Sequence, residues 1–115
     1  MQLRHLVVPL LITVLGVVFA GSAPASEVQK AKEAVKNGAR LIDVRTPEEF
    51  SAGHIKGAAN IPLDAIQANP EIVGGLKDRP LVLYCRSGRR SEIAKGLLLR
   101  AGYREVLNLG AIGNW

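Results

Sequence analysis

The sequence predicts an α/β domain built on a parallel sheet, with four strand candidates and helices on both faces. Its strand candidates, such as Leu41-Ile42 and Leu81-Val82-Leu83-Tyr84, are short and continuously apolar rather than alternating, the pattern of strands covered on both sides. These runs alternate with stretches of helical periodicity, as the crossovers between parallel strands require. With 115 residues, 48% of them hydrophobic and 22% charged, the chain has room for one such domain.

The elements follow in order. From Ser26, the residues Val28, Ala31, Ala34 and Val35 recur at helical spacing among lysines and Glu33, with Ser26 placed to cap the start and Gly38 to end it. Residues 40–44 read as a buried strand stopping at Thr46-Pro47. There Thr46, Pro47 at the first helical position and Glu49 three residues after Thr46 spell a capping box, opening a short helix that Gly53 closes. Residues 58–62 are a further short strand, and residues 64–76 hold one or two short helices broken at Pro70. The run directly after Pro80 is the clearest strand. A second amphipathic helix begins with Ser91 and Glu92, with Ile93, Ala94, Leu97, Leu98 and Ala101 recurring at helical spacing; Gly96 weakens it and Gly102 stops it. Residues 105–109 form a last strand, and residues 110–115 a final turn with Trp115 at the edge of the core.

Residues 1–25 read as a secretory signal. Arg4 gives a positive start, residues 6–20 are uncharged and mostly apolar, and Ala23-Pro24-Ala25 supplies a small-x-small cleavage pattern. A run of 15 residues falls short of the roughly 20 needed to span a bilayer as a helix, so the expected outcome is export with cleavage after Ala25. Membrane contact is then confined to the signal segment before cleavage, and residues 26–115 form the domain. Loss of Arg4 leaves 14 basic against 10 acidic residues, a net charge of +4. That excess is too mild, and aromatic residues too few, for a nucleic-acid surface. A single cysteine, Cys85, allows no internal disulfide and no multi-thiolate metal site, and neither metal nor cofactor is expected.

The chemistry concentrates in Cys85-Arg86-Ser87-Gly88-Arg89-Arg90, which joins the clearest strand to the second amphipathic helix. In open α/β sheets ligands bind beyond the carboxyl ends of the strands. Gly88 permits a positive φ, and the loop N–H groups with the helix N-terminus make an anion cradle. A thiol among three guanidinium groups at a helix N-terminus is expected to be partly thiolate, hence nucleophilic. The competing reading of Cys85 as a small buried hydrophobe is weaker, because an exported protein retains a lone thiol at some cost.

Asp43-Val44-Arg45-Thr46-Pro47-Glu48-Glu49-Phe50, then Gly53-His54-Ile55-Lys56-Gly57-Ala58 with Asn60-Ile61-Pro62, then the cysteine loop, and finally Gly110-Ala111-Ile112 with Trp115, together resemble the rhodanese family of sulfurtransferases. The resemblance spans most of residues 40–115, and its short exported form is similar to the single-domain periplasmic members. It implies a rhodanese-like sheet of up to five strands, although only residues 23–27 are available for the strand that precedes the first helix in the family. It also implies a Cys85 persulfide cycle. The loop is of rhodanese length, whereas related phosphatases and arsenate reductases place an arginine six positions after the cysteine, where this chain has Ser91. Its Cys-Arg-x-Gly-x-Arg form is similar to the thiosulfate-using subgroup.

The site expected from these readings has Cys85 as the catalytic residue, with Arg86, Ser87, Gly88, Arg89, Arg90 and Ser91 binding substrate. Arg86 and Arg90 are expected to face the anion and Arg89 to turn to solvent, because adjacent like charges repel. Asp43, Arg45 and His54 are structural, the first two as an ion pair and His54 through a hydrogen bond holding its turn. Substrates would be thiosulfate and a thiol or cyanide acceptor. The alternative function is a persulfide carrier or docking module loaded by a partner protein.

Overall fold

The computed structural model describes residues 23–115, so the expected signal segment lies outside the described residues except for Ala23 to Ala25. Eight helices and strands follow in the order α1 (Ala25–Lys36), β1 (Arg40–Asp43), α2 (Pro47–Ala52), β2 (Ala59–Asn60), α3 (Leu63–Ala68), β3 (Leu81–Cys85), α4 (Arg89–Arg100) and β4 (Val106–Ala111). Short 3-10 turns occupy Pro70–Val73 and Ile112–Asn114. The strands form one parallel sheet in the order β2-β1-β3-β4. Among the described residues the sheet has four strands; residues 23–27 contribute the start of α1 instead of a fifth.

Alternation along the strands sends their side chains to two cores. Ile42, Leu81, Leu83, Cys85 and Val106 meet Ile66 of α3 and Ala94 and Leu98 of α4 on one face. Leu41, Val82, Tyr84 and Leu109 meet Ala31 of α1 on the other. On the α4 face Leu98 is fully buried, so its truncation to Ala would cost about 2–5 kcal/mol.

The capping box forms as expected: Glu49 N–H donates to Thr46 Oγ1 at 3.2 Å and Thr46 N–H donates to Glu49 Oε1 at 3.0 Å. Three expectations shift. Pro24, not Ser26, precedes the first turn of α1, and its carbonyl accepts from Val28 N–H. The second amphipathic helix starts at Arg89, two residues before Ser91, because Gly88 takes a left-handed φ of +98° and lets the chain enter the helix at once. Trp115 is 49% exposed and lies further out than the core edge.

The last strand carries a bulge. Leu83 pairs with Asn108 but Tyr84 pairs with Gly110, leaving Leu109 as the extra residue. Gly110 sits at φ +89°, and a Cβ there would come within 2.9 Å of the Asn114 amide nitrogen.

Candidate active site

Cys85 ends β3 and is fully buried beneath the turn that leads into α4. Its Sγ accepts from Gly88 N–H at 3.0 Å, and the Ser91 hydroxyl lies 3.5 Å away. That hydroxyl is also 3.1 Å from the Gly88 carbonyl, and its single proton goes to the sulfur once a thiolate makes it the stronger acceptor. Burial pushes the thiol up, but the Ser91 hydroxyl and the N–H groups of Ser91, Gly88 and Ser87 outweigh it and hold Cys85 below the usual thiol range. The direction is the one the sequence implies; the cause is the hydrogen-bonding loop and helix start rather than a ring of guanidinium groups.

The arginines divide differently from their spacing. Arg86 and Arg89 are both exposed, so Arg89 lies in solvent as expected and Arg86 does too. Arg90, in the first turn of α4, is half-buried and held by Glu49 through hydrogen bonds of 2.7 and 3.0 Å. Glu49 raises the Arg90 pKa most, and Cys85 adds to it, which places this guanidinium within the electrostatic reach of the sulfur. Arg90 lowers Glu49 to about 2, with help from the Thr46 backbone. Ser87 is exposed, while Gly88 and Ser91 are buried, as residues that face the sulfur must be.

Asp43 and Arg45 form the expected pair. Arg45 Nη2 donates to Asp43 Oδ2 at 2.7 Å and to the Gly53 carbonyl at 2.6 Å, and both residues are buried. This clamp ties the end of β1 to the end of α2. Asn60 extends it by donating to the carbonyls of Asp43 and Arg45. His54 Nδ1–H donates to Phe50 O at 2.9 Å and its ring stacks on Phe50 at 3.6 Å. It is exposed and takes no part in the sulfur's surroundings.

Three contributors escaped the sequence reading. Glu49 was accounted for by its cap alone, and nothing local points to Arg90. Tyr84 read as a strand apolar, yet its hydroxyl accepts from Ile55 N–H at 3.0 Å, and burial raises its pKa to about 12. Asn108 stands alone as a polar residue between Leu107 and Leu109, which was the available signal.

The description "Rhodanese-like domain" matches residues 25–115. The chain is 42% identical over 78 residues to "Uncharacterized protein YqhL" of Bacillus subtilis, covering 67% of this chain and spanning 60% of that relative's length. It is 38% identical over 71 residues to "Thiosulfate sulfurtransferase PspE" of Escherichia coli, covering 62% and 68% of the two chains. Among solved structures it is similar to "rhodanese with anions from E. coli", with a TM-score of 0.63, 35% identity and coverage of 68% of this chain and 92% of that one. A parallel α/β sheet that delivers one cysteine into a turn of N–H donors, with a family match over nearly all the described residues, establishes that the chain belongs to the rhodanese family of sulfurtransferases.

Proposed function

We propose that the protein is a thiosulfate sulfurtransferase that moves sulfane sulfur through a Cys85 persulfide. The Cys85 thiolate attacks the outer sulfur of thiosulfate, the sulfur–sulfur bond of thiosulfate breaks, and sulfite leaves with the bonding pair. Cyanide, or a thiolate acceptor, then attacks the terminal persulfide sulfur and returns Cys85 as thiolate. The observation that carries this reading is the Gly88 N–H donating to Cys85 Sγ with the Ser91 hydroxyl beside it at the start of α4. Such donors stabilise the attacking thiolate and the persulfide anion alike. Arg90 and the exposed Arg86 would receive the sulfonate end, and the N–H groups of residues 86–91 the sulfur.

Intact-mass analysis after incubation with thiosulfate should show the protein heavier by one sulfur atom, with Cys85→Ser showing no gain. An unmodified wild type would end this reading. Steady-state thiosulfate:cyanide transfer by the same protein distinguishes an enzyme from a carrier, which would hold the persulfide without turning over.

We further propose export to the periplasm with removal of residues 1–25. The uncharged run over residues 6–20 and Ala23-Pro24-Ala25 support this, and the family match begins at residue 25. N-terminal sequencing of protein from the cell envelope should begin at or near Ser26; a Met1 start on membrane-bound protein would overturn it.

A further inference from the structure

Asn108 is a fully buried amide in the middle of β4, a position where a strand ordinarily places an apolar side chain. Burying an amide is favourable only when its polar atoms are paired, and here each of them is. Oδ1 accepts from Gly110 N–H at 2.8 Å, closing the bulge. Nδ2 donates to Glu92 Oε1 at 2.9 Å and to the Gly88 carbonyl at 3.4 Å. The backbone N–H of Asn108 donates to Glu27 Oε2, which Lys95 of α4 also holds. Strand alternation puts Asn108 on the same face as Val106, the face covered by α4 and shared with Cys85. The amide therefore reaches the underside of the turn from the sheet.

Gly88 is the residue that matters at the far end. Its N–H donates to Cys85 Sγ, and its carbonyl receives Asn108 Nδ2 and Glu92 N–H with the Ser91 oxygen 3.1 Å away. We propose that Asn108 is a positioning residue for the cysteine loop, holding Gly88 and the first turn of α4 where Gly88 N–H and the Ser91 hydroxyl meet the sulfur. A neutral donor suits the place, because the carboxylates of Glu27 and Glu92 both accept from Asn108, Glu27 being paired with Lys95 as well. The bulge serves the same end: Oδ1 fastens to Gly110, so Nδ2 is left aimed at the loop. The inference rests on the proposed role of Cys85 as nucleophile, and adds a residue that never touches substrate.

The test compares the wild type with Asn108→Asp and Asn108→Ala. Asn108→Asp keeps the oxygen that closes the bulge and loses the donor to Gly88; Asn108→Ala loses both without adding charge. Two readouts are taken: the pH midpoint of Cys85 alkylation by iodoacetamide, and kcat and KM for thiosulfate:cyanide transfer. Both variants should move the alkylation midpoint to higher pH and lower kcat by about tenfold, with KM for thiosulfate changing less than about twofold. A variant that melts near the wild type with an unchanged midpoint would overturn the proposal. Should both variants fail to fold, Asn108→Ser keeps a small neutral polar side chain with a shorter reach toward Gly88; it should move the midpoint in the same direction, and an unmoved midpoint overturns the proposal. Absence of turnover in the wild type would count against the thiosulfate reading alone, since alkylation reads the loop without any sulfur substrate.

Discussion

Glu49, in the first turn of α2, and Arg90, in the first turn of α4, are joined by two parallel hydrogen bonds across 41 residues of sequence. The carboxylate thus serves two masters, since it also caps α2 through Thr46. One consequence is that Arg90 is a braced, partly neutralised cation rather than a free one, and under the proposed function an incoming anion would meet it in that state.

The acid side of the stability curve should carry this pair. Glu49 is held at about 2, below its ordinary 4.5, so its contribution is complete above about pH 4.5 and is lost as pH falls toward 2. The side chains remain partly open to water, which limits the effect of Glu49→Gln to about 1 kcal/mol at neutral pH. Thermal melts followed by circular dichroism between pH 2 and 7 should show a smaller difference between the two proteins at the acid end. An unchanged difference would mean that the pair contributes nothing to folding.

Ser91→Ala should raise the pKa of Cys85. The Ser91 side chain is the strongest influence favouring the thiolate, opposing burial, and removing it leaves the N–H groups alone to hold the charge. Alkylation rate against pH reads the shift directly. A midpoint that stays in place would assign the thiolate to the backbone donors.

The three loop arginines should separate in KM. Arg90→Ala removes the only half-buried guanidinium among them and leaves Glu49 facing the site, so KM for thiosulfate should rise by about tenfold or more. Arg86→Ala should raise it less, because solvent screens an exposed charge, and Arg89→Ala least of all. An Arg89→Ala variant more damaged than the other two would reverse the assignment of facing directions.

Arg45→Ala should destabilise the fold severely. It strands the fully buried Asp43 carboxylate and frees the Gly53 carbonyl, a loss of about 3–5 kcal/mol by analogy with other broken buried pairs. Urea denaturation monitored by circular dichroism would show the midpoint fall. A loss below about 1 kcal/mol would mean that water reaches Asp43 once Arg45 is gone.

What the sequence determined by itself was whatever short-range chemistry controls. The Thr46–Glu49 cap, the entry of Pro47, the apolar run of β3 and the spacing of Ala94 and Leu98 all act within a turn or two of chain, so residue type alone places α2, β3 and the buried stripe of α4. The cysteine loop was legible for the same reason, as was the Asp43–Arg45 pair, two residues apart. Even there α4 starts two residues before Ser91, because the left-handed Gly88 lets the chain enter the helix at Arg89. Tertiary structure decided the rest: the pairing of Glu49 with Arg90, the reach of Asn108 from β4 to Gly88, and the hydroxyl of Tyr84 beneath Ile55 N–H. These contacts join residues that only sheet order, strand register and one bulge bring together. A residue's type records which bonds it can make; the packing of distant segments decides which partner it finds.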